Sequence, residues 1–284
     1  MASSWAVAGK EIDIDRGLLV GVVNVTPDSF SDGGRYLHPD AALAHGLKLV
    51  ADGAGSIDVG GESTRPGAEP VSAAEESDRV LSVVAGLAEE GVLVSIDTQK
   101  AEVAKAALDA GASVVNDVTG FSDTRMVDVV SASDCGVVVM HGREASLNSL
   151  PAGRDVVGLV ETQLMERVAE LADAGVDRRR VVIDPGIGFD KRPEQSLALL
   201  AGVGRLAASG IPVMVGVSRK GFLTGVVGST DWDRRDDATA ATTALAYARG
   251  ARVFRVHDVA KSRDALRVAA AIVANQRWDE WLQG

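Results

Sequence analysis

Short apolar runs alternate with longer amphipathic segments along most of the chain. Eight runs rich in Val, Ile and Leu have the composition of buried strands: residues 18–25, 56–59, 93–96, 114–115, 137–140, 181–183, 212–217 and 253–256. Each is followed by an alanine-rich segment with apolar residues at helical spacing: residues 40–52, 73–90, 101–110, 124–133, 155–174, 194–208, 236–249 and 262–275. The pattern predicts eight consecutive strand–helix units.

Glycine marks the end of several predicted helices, where a left-handed C-cap residue stops a helix. These glycines are Gly53, Gly91, Gly111, Gly175, Gly210 and Gly250. No Pro/Ser-rich linker divides the series, and no Gly-x-Gly-x-x-Gly follows the first strand. The sequence therefore favours the α/β class, as a single (β/α)8 TIM barrel, over an open doubly wound sheet. We expect an N-terminal hairpin extension at residues 1–17, the barrel at 18–276 and a C-terminal tail at 277–284.

The composition restricts the size of the core, the possible partners and the cellular compartment. The chain has 284 residues, 46% of them hydrophobic, enough for one large core. Its net charge of −11 disfavours nucleic acid or an anionic membrane as a partner. No apolar stretch has the length of a membrane span, and the N-terminus lacks the features of a signal peptide, so we expect a cytoplasmic protein. The single cysteine, Cys135, excludes an intrachain disulfide and is interpreted as a packing residue.

Polar residues stand at or just after the carboxyl end of every predicted strand, the end at which barrels of this class build their active sites. A carboxylate there can instead cap a helix, and a lone histidine is more often scaffold. Their presence after all eight strands favours a site. The residues are Asn24, Asp58, Glu62, Asp97, Asn116, Asp117, His141, Asp184, Ser218, Arg219, Lys220, Arg255 and His257.

Two sets with different chemistry can be separated. The first combines donors and acceptors suited to the edge of a flat heterocycle with amide and amine groups. It consists of Asp97, Asn116, Asp184 and Lys220. The second suits phosphate oxygens, with Mg²⁺ beside them, and consists of Asn24, Arg255 and His257. Residues 218–220 could also form a phosphate cradle at a helix start, and the sequence leaves both roles open.

Long loops follow the first two strands. Residues 24–34 read NVTPDSFSDGG, in which Pro27 removes a backbone donor and the remaining residues favour turns. Residues 58–67 read DVGGESTRPG and add a cation, Arg65. Loops of this length that carry charged and aromatic side chains indicate function more than simple connection.

These motifs resemble the dihydropteroate synthase family, in the same order and with one in each barrel unit. They are residues 24–34, 58–67, 95–98 (SIDT), 116–118 (NDV), 140–141 (MH), 184–189 (DPGIGF), 218–220 (SRK) and 255–258 (RVHD). The resemblance implies a transferase of folate biosynthesis that joins p-aminobenzoate to 6-hydroxymethyl-7,8-dihydropterin diphosphate and releases pyrophosphate. It also implies Mg²⁺ as cofactor, sulfonamides as inhibitors, a homodimer, and the two small-molecule substrates as partners.

The resemblance further implies a role for each matched residue. The pterin would be bound by Asp97, Asn116, Asp184 and Lys220. The diphosphate would be bound by Asn24, Arg65, Arg255 and His257, with Asn24 also binding Mg²⁺. The p-aminobenzoate would be bound by Phe30, Thr64, Arg65, Pro66, Ser218 and Lys220. The catalytic residues would be Asp32, Asp97, Lys220 and Arg255, because carboxylates favour a cationic methylene and a cation favours the departing diphosphate.

Two other functions compete with this interpretation. A pterin-dependent methyltransferase domain shares the barrel and the pterin pocket but has no use for the loops at 26–34 and 63–67, or for the anion-binding Arg255 and His257. A noncatalytic pterin-binding homologue would be expected to have lost a motif residue such as Lys220 or Arg255, and both are present. The synthase reaction is therefore the expected function.

Overall fold

The computed structural model describes residues 4–26, 39–63, 69–142, 147, 150–151 and 153–274. An antiparallel hairpin consists of β1 (Ser4–Val7) and β2 (Lys10–Asp13). The strands that follow are β3 (Leu18–Asn24), β4 (Ser56–Gly60), β5 (Val94–Asp97), β6 (Val114–Asp117), β7 (Gly136–Met140), β8 (Val181–Asp184), β9 (Met214–Val215) and β10 (Val253–Val256).

These eight strands pair in parallel in the order β8-β7-β6-β5-β4-β3-β10-β9. A parallel bridge between Ile183 and Val213 joins the two ends of the sheet. Neighbours in space are mostly neighbours in sequence, as expected for right-handed strand–helix–strand units that close on themselves. The predicted (β/α)8 barrel with a short N-terminal hairpin is confirmed.

Helices surround this sheet. They are α1 (Pro39–Ala51), α2 (Ala73–Glu89), α3 (Ala101–Asp109), α4 (Thr124–Ser131), α5 (Val156–Asp173), α6 (Pro193–Ala201), α7 (Val203–Ala207), α8 (Gly221–Val227), α9 (Trp232–Ala248) and α10 (Val259–Ala274). Among the described helices, none combines the length and the apolar character needed to cross a membrane.

The main differences between the predicted and the observed helices lie in the second half of the chain. The single helix expected over 194–208 is two helices, separated at Gly202, where an added Cβ would lie 2.6 Å from both methyl groups of Val157. Helix α8 follows residues 218–220, where a helix start is one of the two roles left open, but it is not among the eight predicted helical segments. Helix α9 begins four residues earlier than expected, because the Asp231 carboxylate caps it by accepting a hydrogen bond from the Asp233 backbone N–H at 3.1 Å.

Side chains alternate between the two faces of the barrel wall, as the two-residue repeat of a strand requires. Outward residues such as Ile57, Ile96 and Val115 pack in the large core shared with the helices. Inward residues near the amino ends form a second apolar cluster with the hairpin: Trp5, Val7, Ile14, Leu18, Val20, Val114, Val138, Val182, Met214 and Val253. The hairpin therefore covers the amino end of the barrel, and the Trp5 indole donates to the Arg180 carbonyl at 2.7 Å.

Cys135 lies in the large core and is 2% exposed. Burial raises the pKa of its thiol, which disfavours the reactive thiolate. Its position agrees with its interpretation as a packing residue.

Asp117 organises the turn after β6. Its carboxylate accepts hydrogen bonds from the backbone N–H of Thr119 at 2.8 Å and of Phe121 at 3.0 Å. Phe121 and the preceding Gly120 both have positive φ angles, 64° and 67°. We expect Asp117→Ala to lower the free energy of unfolding by about 1–3 kcal/mol, because the buried N–H of Phe121 is left without a partner.

Chemical denaturation of the wild type, Asp117→Ala and Asp117→Asn measures this effect. The Asn variant keeps one acceptor oxygen and should fall between the other two. Equal stability of the wild type and the Ala variant would contradict a structural role for Asp117.

Candidate active site

The inward-facing positions change from apolar to polar toward the carboxyl ends of the strands. They carry Asp58 on β4, Asp97 on β5, Asn116 on β6, Asp184 on β8 and Arg255 on β10. Asp58, Asn116 and Asp184 are each 4% exposed or less. The regular alternation of each strand thus places a layer of hydrogen-bonding side chains above the apolar layer of the barrel interior.

Arg255 joins two of these carboxylates. Its Nε donates to Asp58 Oδ2 at 2.5 Å and its Nη2 to Asp97 Oδ2 at 2.7 Å. Burial lowers the pKa of Arg255, but the two carboxylates outweigh that effect and raise it above its ordinary value. Burial, opposed by Arg255, raises the pKa of Asp97 to about 7. Arg255 therefore stays protonated, whereas Asp97 can change its charge near neutral pH.

Two buried acceptors in this layer have no hydrogen-bond partner among the residues that the structure describes. Asn116 Nδ2 donates to Asp58 Oδ2 at 3.1 Å, which leaves Asn116 Oδ1 and Asp58 Oδ1 unpaired. A buried acceptor without a donor costs about 1–3 kcal/mol. Such atoms fit a ligand that brings N–H groups into the barrel mouth.

Lys220 and Asp184 form the opposite side of the layer. Lys220 Nζ donates to the Ile187 carbonyl and lies 4.2 Å from the centre of the Phe189 ring. Burial lowers the pKa of Lys220 to about 7, although the Asp184 carboxylate acts to raise it. Burial raises the pKa of Asp184, opposed by Lys220. A lysine that gains or loses its proton near pH 7 is poised to respond to a ligand.

The approach of Lys220 depends on a glycine in the loop after β8. Gly188 has a φ angle of 81°, and a Cβ added there would lie 2.7 Å from Lys220 Cδ. A side chain at this position would therefore meet both backbone strain and a clash.

The predicted phosphate-side residues lie at the ends of β3, β9 and β10. Ser218 Oγ accepts a hydrogen bond from the His257 backbone N–H at 3.1 Å and lies 2.9 Å from His257 Nδ1. A Cβ added at Gly60 would lie 3.6 Å from Asn24 Oδ1 and 3.5 Å from Asp97 Cβ. Asn24 and Asp97 therefore flank Gly60 at one edge of the polar layer.

Five predicted site residues fall outside the described ranges. They are Phe30, Asp32, Thr64, Arg65 and Pro66. Their assigned roles stay predictions from the motifs.

Asn24 fits the magnesium role in its chemistry. No group of three or more His, Cys, Asp or Glu is placed to hold a metal ion in the described ranges. Mg²⁺ in phosphate chemistry commonly takes only one or two protein oxygens, and substrate phosphates and waters complete the octahedron. A single amide oxygen at the barrel mouth suits a site of that shared kind.

Two buried residues of the site, Asp58 and Lys191, have roles that the sequence pattern does not predict. Asp58 is a polar residue in a predicted strand, but nothing in the sequence predicts its pairing with Arg255. The available signal is its inward position, which it shares with Asp97 across the β4–β5 pair. Lys191 follows the motif at residues 184–189 but belongs to neither of the two predicted sets. It is 9% exposed, donates to the His141 and Phe189 carbonyls at 3.1 and 3.0 Å, and has its pKa lowered to about 8 by burial.

A barrel with this charged layer at its carboxyl ends has the architecture of an enzyme, and comparison with known proteins specifies the family. Residues 20–257 match the model of the pterin binding enzymes. The dihydropteroate synthase of Mycobacterium leprae (strain TN) is 47% identical over 262 residues, which cover 89% of this chain and 92% of that protein.

Solved structures of dihydropteroate synthases are similar to this chain in both fold and sequence. Xanthomonas albilineans dihydropteroate synthase with 4-aminobenzoic acid has a TM-score of 0.89 and 42% identity, and covers 96% of this chain and 99% of its own. The same enzyme in complex with 7,8-dihydropteroate has a TM-score of 0.86 and 40% identity, with 95% and 99% covered. The chain belongs to the dihydropteroate synthase family of pterin binding enzymes, as its motifs predicted.

Proposed function

We propose that this chain is a transferase that condenses 6-hydroxymethyl-7,8-dihydropterin diphosphate with p-aminobenzoate, giving 7,8-dihydropteroate and pyrophosphate in folate biosynthesis. The observation that carries the proposal is the similarity over nearly the whole chain to dihydropteroate synthases, one of which was solved with 4-aminobenzoic acid and with 7,8-dihydropteroate. The polar layer of the barrel supplies chemistry suited to these substrates.

The pterin ring presents amine and amide N–H donors together with carbonyl and ring-nitrogen acceptors. The buried carboxylates of Asp97 and Asp184 and the free Oδ1 of Asn116 accept from the donors. Lys220 donates to an acceptor of the ring. Because these groups stand on strand ends and are held by their neighbours, they bind the ring in one orientation at little entropic cost.

The reaction breaks the bond between the pterin methylene carbon and the diphosphate oxygen. The electron pair leaves with pyrophosphate, and the methylene carbon becomes a cation stabilised by the pterin. The aniline nitrogen of p-aminobenzoate then forms the new C–N bond and loses a proton. Carboxylates near the methylene favour its positive charge, the role that we assign to Asp32 and Asp97.

The departing diphosphate needs positive charge and hydrogen-bond donors. Arg255 uses Nε and Nη2 for Asp58 and Asp97, while Nη1 takes part in neither of these contacts and can donate to a diphosphate oxygen. We assign Asn24, Arg65 and His257 to the same group. Mg²⁺ bound beside Asn24 would supply further positive charge against the diphosphate.

We assign the p-aminobenzoate to Phe30, Thr64, Arg65, Pro66 and Ser218, with Lys220 bordering both substrates. Ser218 is 8% exposed and is held by the backbone N–H of His257, so its hydroxyl lies in a fixed position. An arginine can bind the benzoate carboxylate through two parallel hydrogen bonds, which is the contact expected of Arg65.

We further propose a homodimer located in the cytoplasm. Leu245 on α9 and Val268 and Ile272 on α10 are exposed by 59%, 60% and 73%. Helices α9 and α10 pack against each other, and Val268 and Ile272 lie four residues apart on one face, so a second copy could cover these side chains. Sedimentation equilibrium tests the dimer.

The location in the cytoplasm is supported by the single, buried cysteine, which accords with a reducing compartment.

A turnover assay tests the reaction. Pyrophosphate release is followed with both substrates and Mg²⁺, and with each omitted in turn, while the arylamine product is identified by mass spectrometry. We expect pyrophosphate and 7,8-dihydropteroate in equal amounts, and only when both substrates are present. No product from folded protein, or methyl transfer from a pterin to a corrinoid in its place, would overturn the proposal.

A further inference from the structure

Arg219 stands between two predicted substrate-binding residues, yet its side chain points away from them. Ser218 and Lys220 both lie at the barrel mouth. Ser218 contacts His257, and Lys220 contacts Ile187 and Phe189. Arg219 instead reaches helix α9. We propose that Asp236 is a positioning residue that holds Arg219 and thereby places Lys220 for the pterin.

The contact between the two side chains is bidentate. Arg219 Nε donates to Asp236 Oδ1 at 2.9 Å and Arg219 Nη2 to Asp236 Oδ2 at 2.8 Å. The Asp236 side chain is only 5% exposed. Two parallel hydrogen bonds to a buried carboxylate fix the direction of the guanidinium as well as its distance, which a surface ion pair does not.

A second arginine of α9 holds the backbone of the same residue. Arg235 Nη1 donates to the Arg219 carbonyl at 3.1 Å, and Nη2 donates to the Thr230 carbonyl at 3.0 Å. The Arg235 guanidinium lies 3.8 Å from the centre of the Trp232 ring, and that of Arg219 lies 5.5 Å from it. Arg219 is thus held at its side chain and at its carbonyl by the first turns of one helix.

The backbone of Arg219 explains why such a restraint is needed. Its φ angle is 60°, in the left-handed region that a residue with a Cβ rarely adopts. An unfavourable conformation persists only where surrounding contacts enforce it, and here those contacts come from Asp236 and Arg235. The turn at Arg219 directs its side chain to α9 and leaves its two neighbours at the barrel mouth.

Loss of the restraint should therefore move Lys220. We expect Asp236→Ala to lower kcat/KM for the pterin diphosphate roughly ten- to a hundredfold, because a displacement of about 1 Å in a positioning group can cost a hundredfold. KM for the pterin diphosphate should rise, since the ring contact is present in the ground state. Asp236→Glu keeps the charge and should recover part of the loss.

Asp237→Ala is the matched control. Asp237 is the next residue of α9 and pairs with Lys261 at 2.7 Å, but its side chain is 63% exposed and this pair lies away from the turn. We expect its kinetic constants to equal those of the wild type.

Arg219→Gly separates positioning from general stability. Glycine adopts the observed φ angle without strain, so the turn in this variant no longer depends on Asp236. In the Arg219→Gly background, Asp236→Ala should therefore change KM much less than it does alone, whereas independent effects would multiply. The kinetic constants of every variant are calculated per folded molecule, so that a loss of folded protein is not counted as a loss of activity.

The inference depends on the proposed function, and the experiment keeps the two apart. Wild-type turnover is measured first, and its absence overturns the proposed function alone. Titration of a 7,8-dihydropterin into the wild type and Asp236→Ala then compares their affinities for the ring. This comparison tests the positioning role without any measurement of turnover. Unchanged kinetics or affinity in Asp236→Ala, with or without a lower Tm, or equal effects in the two backgrounds, would overturn the role of Asp236.

Discussion

Arg255→Ala should lower the free energy of unfolding by about 3–5 kcal/mol, the usual cost of removing one partner from a buried ion pair. The side chain of Asp58 is 1% exposed and that of Asp97 is 11% exposed, and Arg255 pairs with both. Without the guanidinium, the buried carboxylate of Asp58 and the largely buried carboxylate of Asp97 would face each other with no compensating charge. Thermal or urea denaturation measures the loss, and turnover should disappear with it.

The stability loss should also depend on pH. Asp97 already has its pKa raised from 3.8 to about 7 while Arg255 is present, and removal of that cation would raise it further. A carboxyl group whose pKa is higher in the folded state binds a proton on folding, so its contribution to stability falls as pH rises above the unfolded value. We therefore expect Arg255→Ala to be less destabilised at pH 5 than at pH 8.

Arg205→Ala is the control for this prediction. Arg205 also contacts two carboxylates, Asp155 at 2.7 Å and Glu161 at 2.6 Å, but its side chain is 50% exposed. Water replaces an exposed partner readily, so its removal should change Tm little. Equal losses in Arg205→Ala and Arg255→Ala would show that burial of the pair is not what stabilises the barrel mouth.

The barrel itself could be predicted because its signal is local and repeated. Each apolar run and each amphipathic segment indicates one element, and the glycines that end the helices mark the boundaries. The register of the strands then places the polar residues in one layer across the barrel. Asp97 is paired with Gly60 of β4 on one side and with Asn116 of β6 on the other. The prediction of a site at the strand ends follows from the fold class together with the polar residues after all eight strands.

The pairing within the site could not be predicted in the same way. Arg255 and Asp58 are separated by 197 positions, and their contact exists only because closure of the barrel pairs β10 with β3, the strand next to β4. The sequence pattern assigns Arg255 to the diphosphate. This role is still possible, because Nη1 takes part in neither carboxylate contact and can bind a phosphate oxygen. The pattern gave no sign that Nε and Nη2 are already bound to carboxylates.

Short irregular segments were missed for a related reason. Helix α8 has only seven residues and lies in a loop without a clear helical repeat. The restraint on Arg219 depends on a φ angle and on two side chains of α9, and neither is visible in a periodic pattern. Features built from single contacts between distant segments are defined by the tertiary structure alone.

Lys220→Ala should weaken binding of a 7,8-dihydropterin on the order of ten- to a hundredfold at pH 7, the effect of losing one hydrogen bond from a charged group, about 1.5–3 kcal/mol. Its side chain is partly buried beside Ile187 and Phe189, which limits the access of water that could replace the ammonium. A ligand without the diphosphate isolates the ring contact from phosphate binding. Lys261→Ala, a lysine paired at the surface, is the control and should bind as the wild type does.

The same prediction has a pH signature that identifies Lys220 itself. Burial lowers the pKa of Lys220 to about 7 in the empty site, so a ring acceptor that needs the ammonium must recover a proton above that pH, and wild-type affinity should fall as pH rises. Below pH 7, protonation of Asp97 removes an acceptor for the ring N–H groups and should also lower affinity. Lys220→Ala should lose the alkaline decline and keep the acidic one. Calorimetric titrations from pH 5 to 9 test this, and an alkaline decline retained in Lys220→Ala would assign it to another group and remove Lys220 from the ring contact.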